Sequence, residues 1–264
     1  LGVYMLALSM LKILILGVFS EIFQKNRLQK SWAVVVCALA GVVIFLMLTP
    51  EIMVNGKAFV YNWIDTNAIR VNLTLLPSLE MYKLGALLSL MALAMMFYNC
   101  FYDEGKIRLR NAGLYLLILA VMMTLVSAQN MMQVMIALCL VDVLCFYLLK
   151  DSWLKRGYMF YNVLADMLFI IMAALVWGDQ KSLSLDALSR YMHNGDNKQI
   201  AAVFWMIVIL LKTGMVLFHD FVLDLKKISF VRGIYIFYAA TPMAGLILLW
   251  KTYSVLENVE CVRM

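Results

Sequence analysis

The stretch AAVFWMIVILLKTGMVLF, residues 201–218, is almost entirely apolar and carries a single charged residue, Lys212. An ammonium inside a membrane span costs a few kcal/mol or more, so such a lysine is usually paired or functional. Thr213 and Gly214 follow it, and residues of this kind allow a membrane helix to open locally. The stretch therefore predicts a membrane helix that continues, broken and half-amphipathic, into residues 219–232. The partners of Lys212 become the main question about function.

The whole chain has the composition of an integral membrane protein. Of its 264 residues, 65% are hydrophobic and 14% are charged, whereas a soluble domain averages about 45–50% apolar residues. We expect an all-α membrane protein with about eight transmembrane helices joined by short loops. The apolar runs that predict these helices are residues 1–19, 31–48, 81–102, 112–127, 131–149, 158–177, 201–218 and 233–249.

The longest segment outside the apolar runs is residues 51–79. Residues 58–63 and 69–73 within it alternate between apolar and polar side chains. Alternation of this kind is typical of paired strands, so the segment predicts a short β-hairpin on the outer surface of the membrane.

The basic residues of the loops test this arrangement of spans. The loops after the first, third, fifth and seventh spans carry Lys25, Arg27, Lys30, Lys106, Arg108, Arg110, Lys150, Lys155, Arg156, Lys226, Lys227 and Arg232. The other loops carry Lys57, Arg70, Lys181, Arg190 and Lys198. This alternation follows the positive-inside rule and predicts both termini on the outer side. It also accounts for the net charge of +6 without a nucleic-acid partner.

Ionisable residues inside the predicted spans are the candidates for function. They are Lys12, Lys83, Asp142, Asp166 and Lys212. The first two can extend to the membrane surface or face a partner chain. The last three lie deep in three consecutive spans, where burial disfavours each charge unless the charges neutralise one another. A proton relay and a static ion pair that holds two helices together both fit these residues. The five cysteines have no metal-ligand spacing, and no phosphate-binding loop or nucleophile motif is present.

Four segments, taken in order, resemble the motifs of one membrane-protein family. They are LCFYLL at 144–149, VLAD at 163–166, LKTGMVLFHDFVLDL at 211–225 and GIYIFYAAT at 233–241. Their order and spacing resemble the antiporter-like chain 5 of respiratory NADH:ubiquinone oxidoreductase (complex I), as does a surface hairpin after the second span. The resemblance implies three leading helices with the hairpin in residues 1–110 and a first antiporter-like helical repeat in residues 111–264. The second repeat would be absent or supplied by another chain.

The resemblance also implies the residues of a proton relay. The candidates are Lys212, Asp166, His219, Asp224 and, as a further buried carboxylate, Asp142. Lys212 and Asp166 are expected to interact directly or through water.

Four positions depart from the family pattern. Leu140 stands where the family has glutamate, Val163 where it has arginine, Leu217 where it has proline and Tyr238 where it has histidine. Asp142 is two residues beyond Leu140, about 200° around a helix, so it cannot simply take over the same face. Tyrosine ordinarily titrates near pH 10 and shuttles protons poorly.

With glutamate and histidine replaced, the resemblance implies impaired proton transfer and a scaffolding role in the membrane arm of complex I. On that hypothesis, Lys212→Met leaves assembly intact and lowers pumping little. The chain is expected to be a non-redox subunit without a cofactor of its own. NADH, FMN, iron–sulfur clusters and ubiquinone are expected in other subunits of the complex.

The expected partners are other membrane-arm subunits, lipids and a separate chain with the second repeat. The 21 methionines favour the mitochondrial inner membrane, with a bacterial plasma membrane as the alternative. A subunit of a multisubunit cation/proton antiporter is a second interpretation. A purely structural membrane subunit is a third, favoured by Leu140 and Tyr238 and opposed by Lys212.

Overall fold

A computed structural model describes residues 15, 59–65, 70–75, 79–102, 112–149, 152–214 and 235–256 of the chain. In this part the chain is helical apart from one two-stranded sheet. The strands are β1 (Phe59–Asp65) and β2 (Arg70–Leu75). The helices are α1 (Leu79–Tyr102), α2 (Ala112–Ser127), α3 (Met131–Leu148), α4 (Ser152–Gln180), α5 (Leu185–Asn194), α6 (Lys198–Thr213), a π-helix (Tyr235–Ala240) and α7 (Thr241–Leu256).

The chain divides into two compact units. The first contains Leu1–Phe59 and Leu75–Ser127, and the second contains Val60–Thr74 and Ala128–Met264. In the first unit, α1 packs against α2. The second unit holds α3 to α7, and with them the described ionisable residues that the sequence singles out, apart from Lys83. A functional division at residues 110 and 111 stays a prediction.

Two helices of the described chain are long and apolar enough to cross a membrane. They are Met131–Leu148, with a mean hydropathy of 2.2, and Leu154–Gln180, with 2.1. A helix of 18 residues rises about 27 Å, close to the thickness of about 30 Å of a hydrocarbon core. The total of eight spans stays a prediction, because residues 1–19 (apart from Ile15) and 31–48 lie outside the described residues.

The predicted helix boundaries are correct for α2 and need correction for α4, α6 and α7. Helix α4 begins at Ser152 and ends at Gln180, so it extends beyond the apolar run 158–177 at both ends. Helix α6 ends at Thr213 because Gly214 adopts a left-handed conformation with φ of 71°, a backbone state that glycine adopts without strain. The predicted span over residues 201–218 is therefore corrected at its end, and the local opening expected of Thr213 and Gly214 lies at the end of α6.

The π-helix precedes α7 and ends one residue before its first turn. Pro242 is the second residue of α7, and proline removes a backbone donor while it clashes with the carbonyl of the preceding turn. A locally widened turn accommodates this interruption, and π turns are frequent at functional sites. Helix α7 then continues to Leu256, beyond the predicted end at residue 249.

Strands β1 and β2 pair with each other in the segment for which the sequence predicts a hairpin. Val60 and Tyr61 are exposed large apolar side chains of β1. The position of this sheet on a membrane surface stays a prediction.

Packing within the second unit brings together α3, α4, α6, α7 and the π-helix. Helix α6 packs against α4 and α7, and α3 packs against α4 and the π-helix. The starts of α3 and α5 are tied by an antiparallel bridge between Asn130 and Ser184. Both residues also cap their helices, since each side chain accepts a hydrogen bond from a backbone N–H of its first turn. These contacts fix where α3 begins and thus which of its side chains face α4 and α6.

Candidate functional site

Lys212 lies in the last turn of α6, and 1% of its side chain is exposed. A cation at this end of a helix is favoured by the partial negative charge of the terminal carbonyls. The Thr213 hydroxyl donates to the carbonyls of Ile209 and Leu210, at 2.9 and 3.1 Å. The helix end therefore holds the ammonium in place, inside a buried part of the second unit.

Three polar side chains from two other helices surround the ammonium. The Nζ of Lys212 donates to Oδ2 of Asp142 on α3. It lies 2.8 Å from Oδ1 of Asp166 and 3.4 Å from Oδ1 of Asn162, both on α4. The predicted contact between Lys212 and Asp166 is confirmed. Asp166 Oδ1 has no aligned hydrogen-bond donor among the described residues, so its contact with Nζ is best described as an ion pair.

Asp142, one of the candidate relay residues, is part of the site, and as expected it does not share the face of Leu140. Asp142 is 4% exposed and contacts Lys212, whereas Leu140 is 46% exposed. The two positions do lie on nearly opposite faces of α3, as their separation of about 200° requires, but the buried face is the one that carries the aspartate. A carboxylate partner for the lysine is therefore present on α3, and the leucine at position 140 does not mark its loss.

Asp142, Asp166 and Lys212 together form what we call the ionic trio. It holds two carboxylates and one ammonium, so with all three groups ionised it carries one net negative charge. The exposed fraction of the side chain is 1% for Lys212, 5% for Asp142 and 16% for Asp166. Buried net charge is costly, and uptake of one proton makes the trio neutral. Asp166 is the most exposed member and thus the one most open to exchange.

The strength of these contacts sets what the trio can do. A pair of unit charges 2.8 Å apart attracts by about 6 kcal/mol at an effective dielectric constant of about 20, before the desolvation cost is subtracted. Two carboxylates compete for one ammonium, so a proton that arrives on either of them shifts the ammonium towards the other. The position of the ammonium thus depends on which carboxylate holds a proton, which is the arrangement that a proton relay needs.

Sequence reasoning missed four polar residues around the trio. The amide nitrogen of Asn162 donates to the Tyr158 carbonyl at 2.9 Å and leaves Oδ1 for the ammonium. The Tyr158 hydroxyl donates to Asp142 Oδ1 at 3.3 Å and lies 3.1 Å from the Thr241 hydroxyl. The Cys139 thiol donates to the second oxygen of Asp166 at 3.4 Å.

A signal for part of this set was present in the sequence. Tyr158, Asn162 and Asp166 are spaced by four residues along α4, and residues at this spacing lie on one face of a helix. A buried polar stripe in an apolar helix indicates a polar interior site. Thr241 gave no comparable signal, since its contact with Tyr158 spans 83 positions of the chain.

The remaining candidate positions divide into those that the structure describes and those that it does not. Val163 is 40% exposed and does not take part in the site. Lys83 is exposed. Tyr238 belongs to the π-helix, and its side chain lies outside the described part. His219, Asp224, Leu217 and Lys12 also lie outside the described residues. Within the described ranges there is no group of three or more His, Cys, Asp or Glu side chains suited to a metal ion.

Comparisons with known proteins give the fold and no family. No protein-family model matches the sequence, and no curated protein matches it. Among solved structures, a chain of the Mrp complex from Dietzia sp. DQ12-45-1b has a TM-score of 0.78 and 17% sequence identity, over 96% of this chain and 28% of that one. A chain of the membrane-bound sulfane sulfur reductase, an archaeal respiratory membrane complex, has a TM-score of 0.67 and 14% identity, over 94% of this chain and 40% of that one.

These similarities show that the fold is one found in subunits of multisubunit membrane complexes. The chain spans less than half of the length of either of the two chains that it matches. The similarities to these membrane complexes and the apolar helices α3 and α4 together place the chain in a membrane.

Proposed function

We propose that the chain is an antiporter-like subunit of a multisubunit membrane complex and that its ionic trio relays protons. The observation that carries the proposal is the single ammonium of Lys212 held between the carboxylates of Asp142 and Asp166 on neighbouring helices. The trio can take up one proton and become neutral, and it can release that proton and regain its charge. Alternation of this kind moves protons when the two states are reached from opposite sides of a membrane.

The presence of Asp142 in the site favours the hypothesis of a proton relay over that of a scaffolding subunit. The scaffolding role assumed that the carboxylate partner on α3 had been lost with Leu140. Since Asp142 faces the lysine, that assumption fails. The site therefore supports a proton relay better than it supports a scaffolding role. A purely structural subunit would be favoured by an apolar surround with Asp166 as the sole partner of Lys212, but Asp142 and Asn162 are partners as well.

For the host complex, we propose the membrane arm of a complex I-like respiratory enzyme, in agreement with the motifs that resemble chain 5 and with the fold of a respiratory membrane complex. Redox cofactors would then be held by other subunits, and membrane-arm subunits would be the partners. A multisubunit cation/proton antiporter is the second candidate, supported by the fold shared with a chain of the Mrp complex. The mitochondrial inner membrane and the bacterial plasma membrane are the corresponding locations.

The proposal is tested with the assembled complex in sealed membrane vesicles. The initial rate of proton translocation is followed with a pH-sensitive dye after addition of NADH or after a sodium gradient is imposed, and the effective driving force distinguishes the two host complexes. We expect Lys212→Met and Asp142→Asn each to lower the rate per assembled complex at least about tenfold, since a positioned proton-transfer group contributes about 10²–10⁴-fold.

Lys83→Met is the matched control, because this lysine is exposed and lies outside the site. It removes the same charge and should translocate protons as the unaltered protein does. Equal rates for Lys212→Met and Lys83→Met in well-assembled complexes would show that the trio only holds helices together.

A further inference from the structure

A second polar feature extends from the Asp142 carboxylate of the trio. The Tyr158 hydroxyl bridges from Asp142 Oδ1, at 3.3 Å, to the Thr241 hydroxyl, at 3.1 Å. We call Thr241, Tyr158 and Asp142 the hydroxyl chain. It connects α3, α4 and α7, and Thr241 is the residue that directly follows the π-helix.

Burial separates the two ends of this polar path. Tyr158 is fully buried and Thr241 is 5% exposed, whereas Asp166 at the other end of the trio is 16% exposed. Hydroxyls inside an apolar helix bundle are retained only where they find partners. The thiol of Cys145 is a further polar group beside the Tyr158 hydroxyl. A connected line of polar groups therefore runs from the partly exposed Asp166 through Lys212 and Asp142 to the start of α7.

Counting hydrogens gives the line a direction. A tyrosine hydroxyl has one hydrogen, and that of Tyr158 is donated to Asp142. Either hydroxyl can donate in the bond between Tyr158 and Thr241. When Tyr158 donates to Asp142, Thr241 is the donor to Tyr158, and both hydrogen bonds then point towards the carboxylate. The Thr241 oxygen has lone pairs of its own, with which it can accept a hydrogen bond from a water molecule.

We infer that Tyr158 and Thr241 form the branch through which protons reach Asp142 from the side of α7. In one transfer, a protonated water gives a proton to the Thr241 oxygen, Thr241 passes its own hydrogen to Tyr158, and Tyr158 passes its own to the Asp142 carboxylate. The net change is one proton lost by the water and one gained by Asp142. Both hydroxyls stay neutral and their hydrogen bonds reverse direction.

This inference rests on the proposed function, and a positioning role for Tyr158 is the alternative to separate from it. Tyr158 contacts Asp142 and could simply orient the carboxylate, whereas the Thr241 hydroxyl contacts Tyr158. Removing the threonine hydroxyl leaves the bond from Tyr158 to Asp142 available. A loss of transport in Thr241 variants therefore reports transfer along the chain rather than placement of the carboxylate.

The experiment measures initial proton translocation in sealed vesicles that contain the assembled complex. The variants are Thr241→Val, which keeps the branched shape, Thr241→Ala as a second hydroxyl-free variant, Thr241→Ser, which keeps the hydroxyl, and Tyr158→Phe. Tyr147→Phe is the matched control, since Tyr147 is 65% exposed on α3. We expect Thr241→Val, Thr241→Ala and Tyr158→Phe each to fall at least about tenfold, and Thr241→Ser and Tyr147→Phe to stay within about twofold of the unaltered protein.

The outcomes separate the inference from the function on which it rests. If Lys212→Met loses translocation while Thr241→Val or Thr241→Ala keeps it, the trio relays protons and the hydroxyl chain is not their route. If Tyr158→Phe alone loses translocation, the tyrosine only positions Asp142 and the inference is overturned. Full translocation by Lys212→Met would overturn the proposed function and the hydroxyl chain with it.

Discussion

Replacing Lys212 by methionine removes the single cation of the trio and leaves two buried carboxylates without a counter-charge. Asp166 loses an attraction of about 6 kcal/mol, as worked out from its separation of 2.8 Å from the ammonium at an effective dielectric constant of about 20. The net cost is smaller, because a carboxyl that ordinarily titrates near pH 3.9 can be protonated at pH 7 for about 4 kcal/mol. We therefore expect a loss of about 3–5 kcal/mol in the free energy of unfolding, the range seen when one partner of a buried ion pair is removed.

Thermal denaturation of the purified complex in detergent measures this loss. The reaction of the buried thiol of Cys145 with a fluorescent maleimide reports the opening of the second unit. A loss of 3–5 kcal/mol corresponds to a fall of about 6–20 °C in Tm for a chain of this size. The additional changes Asp142→Asn and Asp166→Asn remove both carboxylates and should recover more than half of the fall.

The pH dependence and a matched variant complete the test. The deficit of Lys212→Met should shrink as the pH is lowered, because protons then neutralise the stranded carboxylates. Lys83→Met, at an exposed position, should change stability by less than about 0.5 kcal/mol. If the two variants melt within about one degree of each other, the three charged groups do not form a buried cluster and the reasoning is refuted.

Two further changes probe how the trio is positioned. A Cβ at Gly245 would lie 2.6 Å from Thr213 Cγ2 and 2.7 Å from the Thr213 backbone nitrogen, so Gly245→Ala should destabilise the protein by about 1–3 kcal/mol in thermal denaturation. Gly178→Ala is the control, because a Cβ at Gly178 has nothing within 4 Å. Equal melting temperatures for the two variants would contradict the close approach of Gly245 to Thr213. Moving the carboxylate in the double variant Leu140→Asp/Asp142→Leu should leave proton translocation at least about tenfold below normal, since residue 140 faces outward; normal rates would contradict the assigned face of α3.

Composition and periodicity predicted much of the second unit because both follow from local chemistry. Apolar runs predicted the cores of helices α3 and α4, and Thr213 and Gly214 predicted a local opening close to the end of α6. The pairing of Lys212 with Asp166 was also predictable, since two opposite charges in adjacent apolar helices lower each other's cost of burial.

The face of α3 was not predictable, because the motif resemblance aligned its residues two positions out of phase with the buried side. A shift of two residues turns a helix by about 200° and exchanges the inward and outward faces, so Leu140 was given the place that Asp142 occupies. The hydroxyls of Tyr158 and Thr241 meet through the packing of α4 and α7. Such a contact between distant residues leaves no mark in hydrophobic periodicity.

The central claim is that the ionic trio gains and loses a proton. The most direct measurement is infrared difference spectroscopy during a pH titration of the assembled complex, prepared with isotope-labelled aspartate. The account predicts a protonated-carboxyl C=O band that grows as the pH falls and that is removed or shifted by Asp142→Asn and by Asp166→Asn, but not by Tyr147→Phe. A spectrum without any pH-dependent carboxyl band sensitive to these two aspartates would contradict the account and leave the trio as a static ion pair.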